Sequence, residues 1–92
     1  ITVAPNEKPQ KVLLSFTPQQ GKYIKAQPLH ESQEIIKDNN HECRVSLLLV
    51  INTELIMILL SYGSKVKVIQ PKSLAERVMK EALAMKELYK GT

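Results

Sequence analysis

The segment from Asn52 to Pro71, NTELIMILLSYGSKVKVIQP, constrains the fold of this chain more than any other. Asn52 or Thr53 can accept a hydrogen bond from the free N–H groups that open a helix, and Glu54 sits where the helix dipole is positive. Leu55, Ile56, Ile58, Leu59 and Leu60 follow and nearly encircle that helix, which predicts a buried helix rather than a surface one. Gly63 supplies the left-handed residue that ends it. Lys65 to Ile69 then alternates, Val66 and Val68 inward and Lys65 and Lys67 outward, until Pro71 closes the strand. The segment therefore reads as a helix and the strand that follows it. It contains no residue suited to bond-breaking chemistry.

The rest of the chain supplies partners for that unit. Lys11 to Phe16 alternates with Val12, Leu14 and Phe16 on one face, which predicts a strand. Thr17-Pro18 is an N-cap followed by proline at the first helical position, opening a short helix over about Pro18 to Ala26 with Tyr23 and Ile24 inward. Gly21 weakens that helix on propensity alone. A second strand is read over His30 to Lys37, a turn over Asp38-Asn39-Asn40-His41, and a third strand over Glu42 to Ile51. Cys43, Val45, Leu47, Leu49 and Ile51 share one face of the third strand. Leu48 and Val50 make its end apolar on both faces, so it belongs in mid-sheet with some cover on each side. The last helix opens at Pro71 and Ser73. Leu74, Val78, Met85 and Leu88 form its core stripe, Met79, Ala82 and Tyr89 lie beside it, and Glu76–Lys80 and Arg77–Glu81 are i,i+4 pairs.

The order βαββαβ plus a C-terminal helix, with one apolar sheet face, predicts an α+β fold: a ferredoxin-like sandwich with an additional helix. That topology seats the first and third strands centrally. Ninety-two residues suffice for one domain. With 43% hydrophobic residues, three Tyr, one Phe and no Trp, its core is aliphatic. Residues 1–9 read as a linker and the tail of a preceding domain, and residues 10–92 as the domain itself.

Thirteen Lys and Arg against nine Asp and Glu give a net charge of +4, below the density of a dedicated nucleic-acid binder. The best basic patch is Lys65, Lys67 and Lys72, which phosphates would attract, although lysines on an edge strand also discourage aggregation. His30, Ser32 and Gln33 gather polar groups at a strand start, either as donors to a partner or as a solvated end. Cys43 is the only cysteine, which excludes an intrachain disulfide and fits a reducing, cytoplasmic setting. It falls on the core face with no oriented base, so it reads as packing rather than as a nucleophile. One Cys and two His at these spacings define no metal site. A single glycine after the first strand makes no phosphate cradle, and both arginines lie away from the loop where an acylphosphatase would need one. No catalytic residue, cofactor or membrane segment is read.

Taken in order, VLLSF, PLHESQ and NTELIMILLSYGSKVKVIQPKSL resemble the C-terminal extension (WCX) domain of bacterial WYL-domain transcriptional regulators. The matching positions are His30, Ser32-Gln33, Glu54-Leu55, Leu59-Leu60-Ser61, Gly63, Val66, Val68, Pro71, Leu74 and Tyr89, spread over about Gln10 to Lys90. The resemblance implies a regulatory, non-enzymatic domain of a homo-oligomeric regulator. Its partners would be the other domains of that regulator, with DNA bound by an N-terminal helix-turn-helix domain. Nucleic acid or a small molecule would be the effector. The family's Trp-Tyr-Leu motif, and the basic residues of its WYL domain credited with binding nucleic acid or another effector, are not in this chain, so no ligand-binding residue carries over.

Overall fold

A computed structural model describes residues 8–90, so the reading of residues 1–7 as the end of a preceding domain lies outside the described residues. The elements are β1 (Gln10–Phe16), α1 (Pro18–Ala26), β2 (Glu34–Asp38), β3 (Cys43–Leu49), α2 (Thr53–Ser61), a 3-10 turn (Gly63–Lys65), β4 (Val66–Gln70) and α3 (Lys72–Leu88). The strands form one antiparallel sheet in the order β2-β3-β1-β4, with β1 and β3 central as the topology predicts. This is the expected α+β sandwich with an extra C-terminal helix.

Alternation along β1 and β3 builds the core. Val12 lies opposite Leu47, Leu14 opposite Val45, and Phe16 opposite Cys43, and all six are buried under the helices. Ile24, Leu55, Ile56, Leu59 and Leu74 close over them. Each such side chain contributes about 1.5–3 kcal/mol by leaving water. Phe16 and Tyr62 meet edge to face, centroids 5.6 Å apart, sealing one end. The caps behave as read: Thr17 accepts from the Gln20 N–H and Asn52 from the Leu55 N–H. Gly63 adopts φ 61°, the left-handed value that leads the chain from α2 towards β4.

Several readings are corrected by packing. Tyr23 is 68% exposed; Gly21 and Ile24, three apart, take the inward face of α1 and turn Tyr23 outward. Gly21 is there for proximity, because a Cβ on it would stand 2.5 Å from the Cβ of Cys43. The second strand begins at Glu34, not His30, and the third ends at Leu49. The sheet has helices on one face only, so Leu48 is 54% exposed and the two-sided cover expected for β3 is absent. α2 is likewise one-sided: Leu55, Ile56 and Leu59 are buried while Met57 and Ile58 face out.

The largest correction concerns α3. Of its expected core stripe only Leu74 is buried and Val78 half-buried, and every residue from Met79 to Lys90 is exposed. Length explains the far end of this stretch. The 17 residues of α3 extend about 25 Å, whereas the 5 residues of β4 beneath it extend about 17 Å. Its last turns run past the body. Neither Glu76–Lys80 nor Arg77–Glu81 is among the ion pairs of the described residues.

Candidate functional site

The polar loop before β2 is fastened to the chain's own backbone. Ser32 Oγ donates to the Leu48 carbonyl at 3.0 Å and accepts from the Leu48 N–H at 2.8 Å. A side chain thus continues the β2–β3 ladder where the backbone of β2 has ended. Gln33 Oε1 accepts from the Leu29 N–H, and its Nε2 donates to the Ile24 carbonyl, both at 3.0 Å. That ties the loop to the end of α1. His30 Nδ1 lies 2.7 Å from Ser32 Oγ and 3.1 Å from the Ser32 backbone nitrogen, so its ring folds back onto the same loop. Of these three residues His30 is the exposed one, and it borders a depression with Leu49, Asn52 and Ile58. Gln33→Ala is expected to cost about 1–2 kcal/mol, because two half-buried backbone groups lose their partners. Urea unfolding measures it, and an unchanged midpoint would show that the clip carries no weight.

The lysines separate. Lys65 and Lys67 share a shallow cleft with Ser15, Thr17 and His41 at the start of β4. Lys72 opens α3 beyond the far end of that strand. His30 and His41 likewise lie at opposite ends of β3, so neither the three lysines nor the two histidines form one cluster.

The open sheet face holds a constellation that the sequence reading missed. Glu42 Oε2 accepts from Ser15 Oγ at 2.6 Å and from Arg44 Nε at 3.3 Å, and its Oε1 accepts from Arg44 Nη2 at 3.1 Å. Lys37 Nζ lies 3.9 Å from Oε1. One carboxylate thereby joins β1, β2 and β3. Only the register, which sets Ser15 beside Arg44 and Arg44 beside Lys37, brings these residues together. The hydroxyl of Ser15, followed by the guanidinium of Arg44, holds the Glu42 carboxyl below its ordinary pKa. A depressed folded-state value means that this contribution to stability is complete above the unfolded pKa. It is lost as the pH falls through the folded one. Glu42→Gln should therefore flatten the acid limb of a stability–pH profile and leave the alkaline limb unchanged. Parallel acid limbs for the two proteins would refute this.

Cys43 is buried against α1, and burial raises its thiol pKa, which suits packing and not nucleophilic attack. Apolar side chains exposed on α2 and α3, among them Met57, Ile58, Leu83 and Leu88, give the other face its character. Met85 and Ala82 border a small apolar groove with Leu59, Val66 and Val68. No helix among the described residues is long and apolar enough to cross a membrane. The arrangement offers surfaces for contact and a rigid sheet between them. A family model described as the WCX domain matches residues 8–86. No curated protein matches the chain.

Proposed function

Because the chain belongs to the WCX-domain family, we propose that it is the C-terminal regulatory and oligomerisation domain of a bacterial WYL-type transcriptional regulator. In this reading it assembles copies of the regulator and passes effector binding to a helix-turn-helix domain that contacts DNA. The carrying observation is that the match runs through all four strands, α1, α2 and nearly all of α3. Two features of the fold agree with a role in contact. The open sheet face is crossed by an ion-pair network, and α3 carries apolar side chains beyond the body that would fold against it. The domain is of a regulatory type, and its one buried thiol serves the core.

The test is to compare the intact regulator with a version lacking residues 10–92, by light scattering and by operator binding. Deletion should lower both the assembly state and the operator affinity. If both stay the same, the reading is wrong.

A further inference from the structure

The two edges of the sheet are built differently. A second copy docking on β4 would bring Lys65 and Lys67 of each chain together with no acid on either strand, and such lysines deter edge pairing. β2 is the opposite case. All of its residues are exposed, it has a neighbour on one side only, and Ile35 and Ile36 are 43% and 52% exposed.

Its register with β3 carries an unusual consequence. Glu34 pairs with Ser46 and Lys37 with Arg44, while Ile35 pairs with Val45, and the alternation slips between Ile35 and Lys37. Ser46 and Arg44 are two apart on β3 and so share a face. Glu34 and Lys37, three apart, therefore also share a face, the open one. An edge bulge commonly turns a strand away from partners; here it brings two opposite charges onto one side of a free edge.

We propose that β2 is the edge on which a second copy of this chain docks, strand against strand and antiparallel, about a two-fold axis between Ile35 and Ile36. This rests on the oligomerisation reading above and adds the surface to it. In that register Glu34 of each copy lies opposite Lys37 of the other, twice over, and Ile35 lies opposite Ile36. The contact is self-complementary, as a two-fold interface requires. It covers the two exposed isoleucines and joins the sheets of the two copies into one. The other acid of the strand does not compete, because Asp38 is held by Lys25 at 2.6 Å. Lys37 is held only loosely, 3.9 Å from Glu42, and is free to turn towards the second copy.

Charge exchange tests this by sedimentation equilibrium of the chain. The wild type should associate with concentration. Glu34→Lys alone and Lys37→Glu alone each place two like-charged pairs across the axis and should weaken association about tenfold or more. The double variant, and an equimolar mixture of the two single variants, should recover it. All four residues from Glu34 to Lys37 are exposed, so far-UV circular dichroism should be the same throughout. A dimer indifferent to both single exchanges would overturn the β2 interface while leaving oligomerisation through another surface intact. Weakening by the singles without recovery in the double variant or the mixture would overturn it as well. A chain that stays monomeric at every concentration also overturns it, and the operator assay then decides the broader reading separately.

Discussion

Gly21→Ala should destabilise the domain by about 2–3 kcal/mol, the penalty of forcing a methyl group into a filled contact. On helix propensity the same change should add about 1 kcal/mol of stability, since alanine is the better helix former. The two expectations have opposite signs, so the sign of the result is diagnostic. The close approach of α1 to β3 decides it. The new Cβ would stand 2.5 Å from Cys43 Cβ and 3.0 Å from its Sγ. Both are buried, and the Cβ is fixed to the backbone of a central strand, so no flexible end can swing aside. Relief requires α1 to lift, which would loosen Ile24 from the core. Chemical denaturation of the two proteins measures the difference. A Gly21→Ala protein as stable as the parent would mean that α1 does not lie this close to the sheet.

Truncations along α3 should produce a steep gradient. Leu74→Ala removes a fully buried side chain and is expected to cost about 3 kcal/mol, within the range for large-to-small changes in a core. Leu88→Ala, on the same predicted stripe but 76% exposed, should change the stability of the isolated domain by less than about 0.5 kcal/mol. Identical chemistry at two positions of one helix thus gives very different outcomes, because only one position has the body of the domain beneath it. Thermal or urea unfolding at low protein concentration, where association does not contribute, separates them. Comparable losses at both positions would show that α3 folds against the domain along its whole length.

These two cases mark how far the sequence could be read. Strand order, the central seats of β1 and β3, the bounds of α1 and the caps at Thr17 and Asn52 were legible, because each follows from local geometry and from alternation along a few residues. Ile24 and Tyr23 were not separable, since neighbouring residues on a short helix differ by a rotation that only the docked sheet fixes. For α3 the error had the same origin. Helical spacing identifies which residues share a face, and it carries no information on how far the opposing surface extends.

The contact residues divide in a similar way. His30, Ser32 and Gln33 stand out as a polar run, but their partners are the carbonyls and N–H groups of Ile24, Leu29 and Leu48, and no side-chain pattern reveals those. Lys65 and Lys67 are neighbours because they are close in sequence, while Lys72 is carried away by the length of β4. The Glu42 cluster joins Ser15, Lys37 and Arg44 from three strands. Its members are ordinary surface residues until the register sets them side by side.

The segment Asn52 to Pro71 shows the same boundary in one stretch. By itself the sequence determined its helix start, its glycine stop and its alternating strand, because capping, left-handed φ and two-residue periodicity are properties of the local chain. The tertiary structure alone decided that one side of the helix is open, with Met57 and Ile58 outward. It also decided that one edge of the sheet, β2, carries Glu34 and Lys37 on one face, because a bulge against β3 shifts the alternation between them. Burial and register are properties of two surfaces meeting, and a single strand or helix specifies only its own half.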